Sequence, residues 1–139
     1  MRVVFDTNIF ISLLIRPGQT FRGLIDIVDR QATLLYSAEA LTELVAVLRR
    51  PKFLSFTSVD ETADLVKWII ETGELIPVDR QVTGSRDIAD NKFLSLAISG
   101  HADYLISGDK DLLVLGRIGG TQIMSAAQFI SVIGQYGPQ

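Results

Sequence analysis

Short apolar runs that alternate with helical patterns are the feature that most restricts how this chain can fold. Most of the runs are apolar throughout, as expected of strands that helices cover on both faces of a parallel sheet. The sequence therefore predicts an α/β fold, a three-layer α/β/α sandwich around a mostly parallel, five-stranded sheet. The predicted strands lie near residues 2–5, 33–36, 74–78, 103–106 and 121–124, and the predicted helices near 8–14, 20–30, 38–49, 58–73, 90–99 and 125–134.

The size and composition of the chain agree with one domain. With 139 residues, 47% of them hydrophobic, the chain can bury a sizeable core, and we expect a single domain over residues 1–139 with a frayed tail at 134–139. No apolar run approaches the ~18–20 residues of a membrane span, and the N-terminus lacks the pattern of a signal peptide. Cysteine is absent and histidine occurs once, which argues against disulfides and a zinc site and fits a cytoplasmic protein.

Two carboxylates follow strands that a parallel topology makes neighbours. Asp6 ends the apolar run 3–5, and Asp109 comes shortly after the run 104–106. Ligands of open α/β sheets bind outside the carboxyl ends of the strands. A group of acids there repels itself unless a cation neutralises it, which points to a divalent metal and to phosphate chemistry. The local pattern also allows both residues to be helix N-caps.

Two further acids are weaker candidates on local pattern. Asp90 begins a helical pattern, where a carboxylate is favoured by the helix dipole whether or not it binds metal. Glu43 lies in the predicted helix 38–49 and projects away from Leu41, a member of the main apolar stripe. This position favours a solvated glutamate, although small residues on the same face leave room for a carboxylate that looks into a cleft.

The net charge of −3 counts against a protein that binds nucleic acid by charge alone, because a basic patch is the usual signature of such proteins. The four acids discussed above account for more than this whole negative charge. Arg49, Arg50 and Lys52 form one small basic cluster. Its composition favours a solvated helix end over an RNA-binding track.

Several blocks of sequence, taken in order, form a specific pattern. They are Val4-Phe5-Asp6-Thr7-Asn8, residues 37–44, residues 49–53, Arg86-Asp87 with residues 90–94, and residues 102–112. Together they resemble the PIN-domain family, in particular the toxin-type (VapC-like) ribonucleases of bacterial and archaeal toxin–antitoxin modules. The resemblance covers nearly the whole chain and implies a PIN-like fold. It also implies an endoribonuclease that hydrolyses RNA phosphodiesters with the help of Mg²⁺ or Mn²⁺.

The resemblance also implies the residues of the catalytic metal site. The acidic positions of the family match Asp6, Glu43, Asp90 and Asp109. Glu43 would bind the metal through water or position the nucleophile, and the other three would be direct ligands. Asn91 remains an alternative to Asp90 for one ligand position, but a charged ligand suits Mg²⁺ better than an amide.

Other side chains and partners follow from the same resemblance. Asn8 and Ser107 match polar positions beside the metal, and Asp111 is a candidate further acid. Arg86 and Lys92 are weaker candidates for contacts to phosphate. The implied partners are an RNA substrate, a small antitoxin protein that blocks the acidic cleft, and a second copy of the chain in a homodimer.

Two alternatives to a metal-dependent nuclease stay open at this point. One is a phosphotransfer or phosphatase domain in which Asp6 or another acid becomes phosphorylated. The other is a non-enzymatic PIN-like binding module, in which the acids are helix caps and surface groups. Covalent phosphorylation would distinguish the first of these from a nuclease, and a metal titration would distinguish the second.

Overall fold

The structure is a computed structural model that describes residues 1–15, 18–82 and 91–136. For residues 135 and 136 it describes the backbone only. The strands are β1 (Arg2–Phe5), β2 (Thr33–Tyr36), β3 (Glu74–Leu75), β4 (Tyr104–Ile106), β5 (Arg117–Ile118) and β6 (Thr121–Met124). They form one sheet in the order β3-β2-β1-β4-β6-β5. All neighbouring strands are parallel except β5 and β6, which are antiparallel.

Helices lie on both faces of this sheet. They are α1 (Thr7–Ile15), α2 (Gln19–Gln31), α3 (Ala38–Leu48), α4 (Pro51–Leu54), α5 (Val59–Thr72), α6 (Asn91–Ser99), α7 (Lys110–Leu113) and α8 (Ala126–Tyr136). No helix within the described residues combines the length and the apolar character needed to cross a membrane.

The alternation of side chains along β1 divides the interior into two apolar cores. Val3 and Phe5 belong to one core with residues of α1, α2, α3, α5 and α8, whereas Val4 belongs to the other with residues of α6 and α7. All three side chains are at most 1% exposed, because successive residues of a strand face opposite sides of the sheet and both sides are covered. The predicted three-layer α/β/α sandwich with a mostly parallel sheet is therefore confirmed.

The sixth strand was not predicted. β5 pairs with β6 through a hairpin whose two loop residues are Gly119 and Gly120. Gly119 has a φ of 55°, a left-handed conformation that glycine adopts without the steric penalty of a side chain. The Gly-Gly pair is a hairpin signal in the sequence, but Arg117–Ile118 is too short to show a strand pattern of its own.

Other elements also differ from the prediction. β3 has two residues instead of the predicted five, and after it the Ile76 N–H continues the pairing by donating to the Tyr36 carbonyl at 2.8 Å. The short helix α4 was not predicted. It begins at Pro51, which the first turn of a helix accommodates because no partner is needed for its missing N–H. α8 continues through Tyr136, so the predicted tail starts later than residue 134, and residues 137–139 lie outside the described part of the chain.

The strand order reverses direction beside β1. From β1 the chain moves through α1 and α2 to β2 on one side, whereas β4 lies on the other side of β1. A crevice forms at the carboxyl ends of parallel strands at such a switch point. Phe5 pairs in register with Ile106, so the residues that follow them, Asp6 and Ser107, come side by side at this edge.

We predict that the packing where α5 meets β2 does not tolerate a side chain at Gly73. A Cβ there would lie 2.6 Å from the Ile69 carbonyl oxygen and 2.9 Å from that of Leu34. Because both are backbone atoms, Gly73→Ala should lower the free energy of unfolding by about 1–3 kcal/mol, measured by urea denaturation. Gly134→Ala, with open space around its Cβ in α8, should instead raise it by about 0.5–1 kcal/mol. Similar effects of the two substitutions would contradict this account.

Candidate active site

Asp6 carries a buried carboxylate at the end of β1. The residue is 3% exposed. Its Oδ1 accepts a hydrogen bond from the Ile9 N–H at 3.0 Å, which caps the first turn of α1. Its Oδ2 accepts a hydrogen bond from the Ser107 hydroxyl at the end of β4. Asp6 is therefore a helix cap, as its local pattern allows, and also a carboxylate fixed between two neighbouring strands.

Burial raises the pKa of Asp6 from 3.8 to about 6. The loss of hydration is the largest cause, because a carboxylate removed from water favours its neutral form. Hydrogen bonds from Ser107 and Ile9 act in the opposite direction, and the nearby charge of Asp109 adds to the increase. Ionisation of Asp6 is thus less favourable than that of an exposed carboxylate, and a cation beside it would stabilise the anion.

Ser107 connects Asp6 to the loop that carries Asp109. Its side chain is fully buried, and its Oγ accepts a hydrogen bond from the Asp109 N–H at 2.9 Å while its hydroxyl donates to Asp6. Asp109 Oδ1 accepts from the Asp111 N–H at 2.8 Å, which makes Asp109 the N-cap of the short helix α7. Asp111 contributes its backbone to this turn. The structure therefore places three of the predicted residues, Ser107, Asp109 and Asp111, in one hydrogen-bonded turn beside Asp6.

Glu43 differs from the solvated glutamate that its local pattern favours. Its side chain is 31% exposed, and its Oε1 lies 2.6 Å from the Lys92 ammonium. The Thr7 hydroxyl donates to its Oε2 at 2.8 Å. The sequence analysis predicted neither contact. The sequence contained one signal for the ion pair. Lys92 lies near the start of the predicted helix 90–99, where the helix dipole disfavours a cation unless an acid lies close to it.

Several of these groups line one cleft at the switch point, with a volume of about 350 Å³. The predicted acids Asp6, Glu43 and Asp109 contribute to its wall. Its lining residues are Asp6, Thr7, Asn8, Ile11, Glu43, Val47, Arg50, Lys52, Phe53, Phe93 and Asp109. The cleft therefore combines carboxylates with two cations of the basic cluster, which composition alone assigned to a solvated helix end.

The basic residues reach the cleft because the chain turns into α4 directly after α3. Arg50 and Lys52 are exposed to solvent and also line the cleft. The Lys52 ammonium lies 5.3 Å from the centre of the Phe53 ring, within the range of a cation–π contact. The cleft thus has acids at its base and cations at its rim.

Two of the predicted residues cannot be placed. Asp90 and Arg86 fall within residues 83–90, outside the described part of the chain. Within residues 1–15, 18–82 and 91–136, no three His, Cys, Asp or Glu side chains are close enough to hold a metal ion. The oxygen donors that the cleft does offer, from Asp6, Asp109 and Asn8, are of the hard type that Mg²⁺ and Mn²⁺ prefer.

Known proteins of similar sequence or fold exist. MJ1680, an uncharacterized protein of Methanocaldococcus jannaschii, is 28% identical over 117 residues, which are 83% of this chain and 75% of that protein. VapBC2 from Rickettsia felis, solved bound to a DNA fragment from its promoter, superposes with a TM-score of 0.61 at 16% identity, over 88% of this chain and 97% of that one. PAE2754 from Pyrobaculum aerophilum gives a TM-score of 0.62 at 12% identity, over 97% and 90% of the two chains.

The two solved structures show likeness of the fold alone at these identities, so the family rests on the sequence. A family model described as PIN domain matches residues 2–111. That segment runs from the first strand to the short helix after Asp109 and contains every acid that lines the cleft. The chain belongs to the PIN-domain family.

Proposed function

We propose that this protein is a divalent-metal-dependent endoribonuclease and the toxin component of a toxin–antitoxin pair. Proteins with a PIN domain are generally nucleases. The observation that carries the proposal is the buried Asp6 carboxylate, joined through Ser107 to the turn of Asp109 at the floor of an open cleft. Burial makes this carboxylate costlier to ionise than an exposed one, so a cation bound beside it would be stabilising.

The proposed metal ligands are Asp6, Asp109 and Asp90, with Mg²⁺ or Mn²⁺ as the ion. When bound, the ion supplies a nucleophile by lowering the pKa of a water molecule and neutralises charge on the phosphoryl oxygens. The chain contributes the fixed orientation of the ligands. Ser107 and the Ile9 N–H hold the two oxygens of Asp6, and the Asp111 N–H holds Asp109.

The cations at the rim support a phosphodiester polymer as the substrate. An acidic floor repels a polyanion, so the substrate needs positive groups where it enters. Arg50 and Lys52 supply them at the cleft itself. Phe53 lies beside Lys52 and offers an aromatic surface, and aromatic side chains next to cations are typical of sites for single-stranded nucleic acid.

The toxin role and the partners rest on family resemblance. The structural likeness to VapBC2, which was solved on DNA from its own promoter, supports an antitoxin partner for this chain. A homodimer and an antitoxin that covers the acidic cleft are part of the same proposal.

We predict that Asp6→Asn abolishes RNA cleavage without unfolding the protein. Asparagine has nearly the same shape and can still accept the Ile9 N–H, but it loses the negative charge that a divalent ion requires. Cleavage of a single-stranded RNA in Mn²⁺ should fall at least about 100-fold, with an unchanged circular dichroism spectrum. Asp26→Asn, on the exposed part of α2, is the control and should cleave normally. Activity that resists both EDTA and Asp6→Asn would contradict the proposal, and a covalent phosphate on Asp6 after incubation with a phosphodonor would favour the phosphotransfer alternative.

The raised pKa of Asp6 predicts a pH dependence of stability. The folded chain holds this proton up to about pH 6, whereas the unfolded chain releases it near 3.8. The stabilisation by protonated Asp6 is therefore fully present below 3.8 and is lost as the pH rises through 6. Asparagine does not titrate, so Asp6→Asn does not lose stability as the pH rises through 6. In EDTA, the stability of Asp6→Asn relative to the natural chain should increase by about 2–3 kcal/mol between about pH 4 and about pH 7.5.

Urea denaturation at each pH measures this difference in the free energy of unfolding. Asp26→Asn should show no such trend. Mn²⁺ at neutral pH should reduce the advantage of Asp6→Asn, since an ion that binds only the folded natural chain stabilises it. A relative stability that is the same at every pH would show that burial of Asp6 does not control its ionisation.

We predict that Arg50 and Lys52 bind RNA mainly through charge. The variant replaces both residues by alanine in the inactive Asp6→Asn background. The plot of log affinity against log salt should become less steep by about 1.4, because each phosphate contact on a single strand contributes about 0.7 to the magnitude of its slope. Fluorescence anisotropy with a labelled single-stranded RNA measures the slope. Arg22→Ala with Lys67→Ala removes the same charge from α2 and α5 and should leave it unchanged. Equal changes in the two double variants would mean that RNA does not enter past this rim.

A further inference from the structure

Glu43, which lines the cleft, forms an ion pair with Lys92. The Lys92 ammonium lies 2.6 Å from Glu43 Oε1, and the Thr7 hydroxyl donates to Oε2 at 2.8 Å. Both oxygens of the carboxylate therefore have a partner within the chain. The side chains of Lys92 and Glu43 are 17% and 31% exposed, so water screens the pair only in part.

Lys92 lies where a helix by itself disfavours a cation. α6 begins at Asn91, so Lys92 is in the first turn, at the positive end of the helix dipole. An ammonium there needs a negative partner to offset the unfavourable field. The structure supplies Glu43 from α3 as that partner. The packing of α6 against α3, and not a preference of α6 itself, thus accounts for the place of this ammonium.

The other two acids of the cleft are held in a different way. Asp6 and Asp109 are joined through Ser107, and the donors seen on their oxygens are one hydroxyl and backbone amides. Within the described residues, neither Asp6 nor Asp109 forms an ion pair. No third acid in residues 1–15, 18–82 and 91–136 joins them closely enough to hold a metal ion. Among the described residues, the cleft therefore contains one carboxylate pair open to an added cation and one carboxylate that the chain has already neutralised.

We infer that Lys92 is the built-in counter-ion of Glu43 and takes the place of a second divalent ion, so that the chain binds one Mg²⁺ or Mn²⁺, at Asp6 and Asp109. The inference deepens the proposed nuclease function and rests on it. In two-metal sites, each of two divalent ions is held by carboxylates. Here the ammonium balances the charge of Glu43 and fixes it beside Thr7 at the start of α1. Lys92 is therefore a positioning residue that acts through Glu43.

The test is the number of Mn²⁺ ions bound per chain, counted by electron paramagnetic resonance of free Mn²⁺ during titration of the full chain. The natural chain should bind one ion. Lys92→Met keeps the length of the side chain and removes its charge, which leaves Glu43 uncompensated, and should bind two. Adding Glu43→Gln to Lys92→Met should return the count to one, and Lys92→Arg, which keeps the charge, should also bind one. If Lys92→Met does not fold, Lys92→Gln replaces it, because an amide can still donate to Glu43.

Each outcome separates this inference from the proposed function. Two ions on the natural chain overturn the inference and leave a metal-dependent nuclease intact. One ion on both the natural chain and Lys92→Met also overturns it, since Glu43 then holds no cation when it is freed. No ion on the natural chain, together with RNA cleavage that EDTA does not affect, overturns the proposed function itself. One ion on the natural chain and two on Lys92→Met, reversed by Glu43→Gln, support the inference.

Discussion

The hydrogen bond between the Ser107 hydroxyl and the Asp6 carboxylate is the contact on which the site depends. It joins residues 101 positions apart in the sequence at the edge where β1 and β4 lie side by side. The same carboxylate caps α1, and the same serine oxygen accepts the Asp109 N–H. These hydrogen bonds fix both carboxylates within the protein and leave further lone pairs of their oxygens free. The orientation of both acids is therefore set before any ligand arrives, which is the general requirement for a preorganised site.

Charge in the cleft is divided among three places. Asp6 and Asp109 lie at the carboxyl ends of the central strands, Glu43 is neutralised by Lys92, and Arg50 with Lys52 lies at the rim. This division explains how a chain with a net charge of −3 can present cations to a polyanion. Net charge sums over the whole surface, whereas a substrate responds to the field near its point of entry. Composition alone does not reveal that two residues of the basic cluster line the cleft.

Much of the fold was predictable because its signals are local. All five predicted strands occur, since apolar runs of β-branched and aromatic residues identify buried parallel strands without knowledge of their neighbours. The elements that the sequence did not reveal are short. β5 has two residues and α4 has four, fewer than the length over which a periodic pattern can be recognised. Both are stabilised by adjacent elements, β5 by its hairpin partner β6 and α4 by its position directly after α3.

The sequence by itself determined the fold class, the strand-end positions of Asp6 and Asp109, and their capacity to cap helices, because each follows from residues that are close along the chain. Only the tertiary structure decided what surrounds them. Glu43 meets Thr7 and Lys92 across 36 and 49 residues, and Arg50, directly before α4, lines the same cleft as the acids. Such contacts depend on the rotation and spacing of packed helices, which long-range burial sets. The pattern of residue types within one helix or strand therefore does not predict these long-range contacts.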